Sequence, residues 1–185
     1  PLNTLLQERG SAVGLICTQG FRDTLEIRQG YREKRYDFTY QTPRPLVPRF
    51  LRIPVRERID RNGNVVEPLH SNDLSHAIEA FEQYNVSAVA VCLLWSFLNP
   101  SNERRVRDLL EEKLPGLSVW LSSDICPEIR EYERTSTTVV NAYVAEEFGA
   151  HQDAFEGYLR SAGYGGEIRY LQSNGGLAGS DSIRA

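Results

Sequence analysis

Methionine is absent from the 185-residue sequence, tryptophan occurs twice and cysteine three times. Without a methionine the chain is expected not to begin at its own initiator codon. Pro1 runs straight into Leu2-Asn3-Thr4-Leu5-Leu6, which reads as the middle of a helix, so the expectation is an internal piece of a longer protein. Cys17, Cys92 and Cys126 lie in or beside apolar runs, and no two have the spacing of metal ligands. They read as free thiols, packed as small hydrophobes in a reducing compartment. A concentrated positive field is also missing: 21 basic residues face 25 acidic ones, for a net charge of -4, and the arginines between residues 44 and 61 are diluted by Glu57 and Asp60. Binding to a phosphate backbone draws on such a field, so no nucleic-acid partner is expected. The longest apolar run, residues 86–98, falls well short of the roughly 20 residues that span a bilayer. No charged-then-apolar leader opens the sequence. A cytoplasmic protein without a membrane partner is the expectation. His70, His76 and His151 form no metal pair at helical spacing, no loop ends in Gly-Lys-Ser or Gly-Lys-Thr, and no Gly-x-Ser-x-Gly elbow occurs.

What is present is enough for a core: 41% of residues are hydrophobic and 10% aromatic. Leu2, Leu5 and Leu6 have helical spacing, with Gly10 after them. Residues 12–18 form a compact apolar stretch between glycines and read as a buried strand. A loop, Gln19-Gly20-Phe21-Arg22-Asp23, leads to a short helix near Leu25. Pro43, Pro45 and Pro48 make residues 30–51 irregular. Ile53, Val55 and Ile59 then alternate with polar residues, and Asn62-Gly63 signals a hairpin turn into Val65-Val66; together these predict a small β insertion. Leu74, Ala77, Ile78, Phe81 and Tyr84 share one helical face, with Ser71 or Asn72 as cap. Residues 87–95 are continuously apolar and valine-rich, as in a strand covered on both faces. A helix starts near Asn99-Pro100-Ser101, carries Val106, Leu109, Leu110 and Leu114, and ends at Pro115-Gly116. Residues 117–121 read as a further strand. Strand, helix, strand, helix, strand in this order predicts an α/β fold with parallel pairing through right-handed crossovers. A longer helical pattern includes Val140, Tyr143, Phe148, His151, Phe155 and Leu159 and stops at residues 163–166. Residues 167–172 read as a strand running into Ser173-Asn174-Gly175-Gly176, with no following partner in the chain.

Three places could carry chemistry. The first is the loop of residues 18–23, because open α/β sheets bind ligands beyond the carboxyl ends of their strands; alternatively Gly20 only permits a turn and Arg22 pairs with Asp23 on the surface. The second is residues 127–134 followed by Thr135-Ser136-Thr137-Thr138 and Asn141, where charges of both signs beside hydroxyls could orient a polar substrate or a phosphate. A capped, solvated helix start explains the same composition. The third, residues 173–176, could bring backbone close to a phosphate or be a simple turn. The second place carries the further expectation that Arg130, Glu131, Arg134, Ser136, Thr137 and Asn141 hold a substrate, with Arg22 and Asp23 as a second group, since the arginines can grip an anion in a fixed fork.

Several of these segments resemble the hydantoinase A and 5-oxoprolinase family, which also includes the ATP-dependent acetone and acetophenone carboxylases. The resemblance rests on Val13-Gly14-Leu15-Ile16 through Thr18-Gln19-Gly20-Phe21-Arg22-Asp23-Thr24-Leu25-Glu26-Ile27, on Pro45-Leu46-Val47-Pro48-Arg49, Arg56-Glu57-Arg58-Ile59 and Glu67-Pro68-Leu69, and on Ala88-Val89-Ala90-Val91-Cys92-Leu93-Leu94 with Asn99-Pro100. Its most specific part is Arg130-Glu131-Tyr132-Glu133-Arg134-Thr135-Ser136-Thr137-Thr138-Val139-Val140-Asn141-Ala142-Tyr143-Val144, and Gln172-Ser173-Asn174-Gly175-Gly176 closes it. It implies an actin-like ATPase fold of two related lobes. Residues 1–163 would be the later part of the first lobe, with a β insertion at about 30–69, and residues 164–185 the opening of the second, both truncated. It implies ATP and magnesium in the intact parent, activation of an amide or enol oxygen by phosphorylation, and a hydantoinase B-type subunit or domain as partner. A small cyclic amide or a ketone would be the substrate. The family's phosphate turns, Asp-x-Gly-Gly-Thr, are absent here, so no nucleotide-binding or metal-binding residue is expected within this chain.

Overall fold

A computed structural model describes residues 2–30, 34, 36–172 and 175–180. The chain divides into two compact units, Ser11–Tyr143 and Pro1–Gly10 with Val144–Ala185. Among the described residues, no helix is long and apolar enough to cross a membrane.

The first unit is built on a four-stranded parallel sheet. Its strands are β1 (Val13–Thr18), β2 (Arg52–Val55), β5 (Ala88–Cys92) and β6 (Ser118–Leu121), in the order β2-β1-β5-β6. All six residues of β1 and all five of β5 are buried. Burial of every residue, rather than alternate ones, requires cover on both faces of the sheet, which is why these strands read as unbroken apolar runs. The short helix α2 (Thr24–Ile27) follows β1, and α3 (Asp73–Gln83) and α4 (Ser101–Lys113) precede β5 and β6. The amphipathic spacing of α3 buries Leu74, Ala77 and Phe81, and α4 buries Val106 and Leu110. After the short α5 (Ser122–Ile125) comes the 31-residue α6 (Glu131–Ser161). From β1 the chain moves outward to β2 on one side, then returns to β5 and β6 on the other. The order therefore reverses between β1 and β5, and such a reversal opens a crevice at the carboxyl ends of the strands.

The small hairpin is present but shorter than expected. It comprises only β3 (Arg58–Ile59) and β4 (Val65–Glu67), which pair antiparallel. Gly63 supplies the positive φ of the turn, at 81°. The Asp60 carboxylate accepts the Asn62 and Asn64 N–H groups at 2.8 and 2.9 Å, fixing it. Ile53 and Val55, expected in this insertion, belong instead to β2, which pairs parallel with β1 from Leu15↔Arg52 to Thr18↔Val55. Their alternation does not reveal which sheet buries them; Val55 is fully enclosed against the central one.

In the second unit, α1 (Leu2–Leu6) accompanies the later part of α6 and a two-stranded sheet. The strand expected to lack a partner has one: β7 (Arg169–Leu171) pairs antiparallel with β8 (Leu177–Gly179). Three residues, Leu177-Ala178-Gly179, are too short to signal a strand by periodicity. Gly175, at φ 85°, makes the reversal possible, and the Gln172 N–H donates to the Gly176 carbonyl at 2.8 Å. Ser173 and Asn174, in the third chemically suggestive segment, lie outside the described residues.

Candidate functional site

At the carboxyl end of β1 the chain turns through Gly20, whose φ of 93° suits glycine, and enters α2. At the other side of the crevice α6 begins at Glu131, after a left-handed Arg130 with φ 88°. Such a backbone conformation is costly for a side-chain-bearing residue and concentrates at ligand sites and switches. Between these two segments lies a cavity of about 380 Å³, within the size range of small-molecule sites. Asp23 and Gln29 contribute to one wall, and Arg130, Glu131 and Glu133 to the other. Gln29 Nε2 donates across to Glu133 Oε1. Two segments singled out separately in the sequence, more than a hundred residues apart, therefore face one space.

The expected site residues divide by position. Arg130 and Glu131 are exposed and line this cavity, as does the half-buried Asp23. The Asp23 carboxylate is gripped by Arg49, with Nε and Nη2 at 2.9 and 3.1 Å. That fork of hydrogen bonds holds the Asp23 carboxyl below the usual carboxylate range. Arg22 turns away and donates to the Arg49 carbonyl at 3.2 and 2.8 Å. Ser136 lines a smaller neighbouring cavity of about 170 Å³ with Leu25, Leu46 and Val140. Its hydroxyl returns to the Glu133 carbonyl at 3.2 Å. Thr137 is on the exposed face of α6, and Asn141 is half-buried with an unpartnered Nδ2. Arg134 lies in the interior, only 2% exposed. Its Nη2 donates to the Leu93 carbonyl at 2.7 Å and its Nη1 to the Glu128 carbonyl at 3.0 Å. Its guanidinium sits over the Phe97 ring, 5.4 Å from the centroid.

A buried polar cluster at the same sheet edge was not legible in the sequence. Glu57 and Glu103 are 2% and 0% exposed. Glu57 accepts from the Thr18 hydroxyl and, at 2.8 Å, from Asn102 Nδ2. Burial nevertheless pushes its carboxyl above the ordinary value, against the opposing pull of those two hydrogen bonds. Glu103 Oε1 accepts the Leu93 N–H at 2.9 Å and the Ser122 hydroxyl at 2.6 Å, and Oε2 accepts the Ser123 N–H at 2.9 Å. Both carboxyl groups are well supplied with hydrogen bonds, as buried polar groups require. In sequence, Glu57 merely interrupts an arginine-rich stretch and Glu103 looks like an ordinary acidic residue in a helix's first turn. Their partners lie tens of residues away, and no local pattern encodes that.

Three amides of the loop after β1 are engaged within the fold rather than offered to the nucleotide phosphates that the resemblance implies for a parent protein. The Gln19, Phe21 and Thr24 N–H groups of the loop after β1 donate to the Val55, Thr18 and Phe21 carbonyls, not toward the cavity. Among the described residues no three His, Cys, Asp or Glu side chains are grouped to hold a metal ion.

The chain is an α/β protein whose parallel sheet has a reversal point, with a polar cavity of mixed charge at its carboxyl edge, an arrangement of the size and place that suits a small molecule. Sequence comparison makes the assignment narrower. The profile of the hydantoinase/oxoprolinase N-terminal region matches residues 1–114, and that of hydantoinase/oxoprolinase matches residues 134–185. The chain belongs to the hydantoinase/oxoprolinase family. It is 43% identical over 179 residues to caprolactamase subunit alpha from Pseudomonas jessenii, covering 96% of this chain and 26% of that one. It is 35% identical to the acetophenone carboxylase gamma subunit from Aromatoleum aromaticum, covering 96% of this chain and 26% of that subunit. The crystal structure of the ATP-dependent caprolactamase from Pseudomonas jessenii superimposes with a TM-score of 0.89 at 42% identity, over 97% of this chain and 26% of that one. The chain thus spans about a quarter of the length of these relatives.

Proposed function

We propose that this chain is part of an ATP-dependent hydrolase of cyclic amides, and that the cavity between residues 20–29 and residues 130–133 receives the amide. The observation that carries this reading is the presence of an exposed guanidinium and an exposed carboxylate, Arg130 and Glu131, in one small cavity with the half-buried Asp23. A lactam or hydantoin presents a carbonyl acceptor and an N–H donor side by side. Arg130 can donate to the carbonyl, and Glu131 or Asp23 can accept the N–H. A ketone offers the same acceptor but no N–H, and a carboxylate beside it would instead take the α-proton released on forming the enol. ATP and magnesium would be held by other parts of a longer protein, and a hydantoinase B-type subunit or domain would complete the reaction. The Pseudomonas relative, an ATP-dependent caprolactamase, supports this class of reaction.

The second reading is a subunit of an ATP-dependent ketone carboxylase, favoured by the 35% identity to the acetophenone carboxylase gamma subunit. Phosphate release by the parent protein with its partner subunit separates the two. Stimulation of about tenfold or more by a member of a panel of lactams, imides and hydantoins supports the hydrolase. Stimulation only by a ketone with bicarbonate supports the carboxylase, and stimulation by neither overturns both.

A further inference from the structure

The crevice between β1 and β5 is spanned by one dipeptide, Leu93-Leu94, which leaves the sheet directly after β5. Three of its backbone groups are bound by buried side chains from three elements. Glu103 of α4 accepts the Leu93 N–H at 2.9 Å. Arg134 of α6 donates to the Leu93 carbonyl at 2.7 Å. Thr18, the last residue of β1, accepts the Leu94 N–H at 2.9 Å on its hydroxyl oxygen, and that hydroxyl donates to Glu57. Thr18, Glu103 and Arg134 are all 2% exposed or less. In so dry a setting hydrogen bonds are directional and costly to leave unmade. Thr18 is the root of the wall that carries Asp23, and Arg134 lies in the first turn of the helix whose start, Arg130 and Glu131, forms the other wall.

We propose that Thr18 and Arg134 are positioning residues, which set the separation of the two cavity walls by clamping the Leu93-Leu94 peptide from opposite sides. Neither lines the cavity. Both act through a backbone segment that neither owns, so a disturbance at one wall is transmitted to the other. Glu57 and Glu103 hold the clamp in register, Glu57 by orienting the Thr18 hydroxyl and Glu103 by fixing the Leu93 N–H. The functional consequence rests on the cavity receiving the substrate, as read above; the mechanical coupling does not.

The test uses the parent protein with its partner subunit, carrying Thr18→Val, Thr18→Ser, Arg134→Lys, or Thr18→Val with Arg134→Lys. Valine keeps the shape of threonine without the hydroxyl, serine keeps the hydroxyl, and lysine keeps the charge without the fork that reaches two carbonyls. Amide hydrogen exchange is expected to quicken about tenfold across the crevice: at residues 130–135 in Thr18→Val and at residues 19–27 in Arg134→Lys, with Thr18→Ser close to the unmodified protein. With a cyclic amide that stimulates phosphate release, KM for the amide should rise about tenfold in Thr18→Val and in Arg134→Lys, and stay near the unmodified value in Thr18→Ser, while KM for ATP stays unchanged in all three. The double variant should fall short of the product of the singles, because both act through one peptide. Exchange effects confined to the substituted wall, or a lower melting temperature with an unaltered amide KM, overturn the proposal. Should no amide or ketone stimulate the unmodified protein, the preceding functional reading falls, and the reciprocal exchange effect alone decides for or against the clamp.

Discussion

Gly14 offers a direct test of how closely α3 packs on the sheet. A Cβ placed there would stand 2.4, 2.7 and 3.0 Å from the Cε1, Cζ and Cδ1 atoms of Phe81. Comfortable carbon–carbon contact begins near 3.5 Å, so the ring or the strand would have to move by about 1 Å. Neither moves freely. Phe81 is 1% exposed in the interior, and Gly14 sits mid-strand, registered opposite Val89 of β5. Gly14→Ala is therefore expected to cost about 1–3 kcal/mol by overpacking. With a urea dependence of about 2 kcal/mol per molar, the unfolding midpoint should fall by about 0.5–1.5 M. Trp95 and Trp120 lie in the same unit as this contact and report its unfolding by fluorescence. Phe81→Leu alone should destabilise by about 1–2 kcal/mol through lost packing. Combined with Gly14→Ala, it should cost less than the sum by roughly 1 kcal/mol, since the methyl enters space the ring has vacated. A Gly14→Ala midpoint within about 0.2 M of the unmodified protein, or strict additivity in the double variant, would refute the packing argument.

Arg130→Gln in the parent should weaken turnover of the stimulating amide by about 100-fold with little change in melting temperature, and a normal rate would remove Arg130 from the site. Calorimetry of this chain with ATP and magnesium should show no saturable heat, because the 185-residue sequence holds no Asp-x-Gly-Gly-Thr phosphate turn; micromolar binding would reveal a nucleotide site in these residues. A thiol reagent on the native protein should modify the half-buried Cys126 and spare Cys17 and Cys92, whose burial pushes their thiols up, that of Cys17 to about 12. Rapid labelling of either buried thiol would contradict the packed sheet. Hydrogen bonds from Arg56 hold the Asp73 carboxyl down at about 2, from an ordinary 3.8. A depressed carboxylate contributes stability that is complete above its unfolded value and lost as pH falls through the folded one. Asp73→Asn should therefore flatten the acid limb of the stability curve between about pH 4 and pH 2; an unchanged limb would mean the Arg56 pairing contributes nothing.

The sequence determined the elements whose signal is local and repeated. The unbroken apolar runs around Val13–Thr18 and Ala88–Cys92 marked strands covered on both faces, and the one-sided spacing of Leu74, Ala77 and Phe81 marked the helix that packs on them. It also drew attention to the Asp23 loop and to the charged start of α6 as places of interest. Only the tertiary structure decided which elements meet. It moved Ile53 and Val55 from the hairpin to the central sheet, and it paired β7 with a three-residue β8. It left Arg130 and Glu131 at the cavity while drawing Arg134, from the same charged run, into the interior. One turn of helix separates those positions, and composition cannot tell a side chain that faces solvent from its neighbour that faces the sheet. The Glu57 and Glu103 cluster makes the same point from the other direction. Its hydrogen bonds span from ten to forty-five residues of sequence, and each carboxylate becomes an anchor only once folding has taken it out of water and supplied its donors.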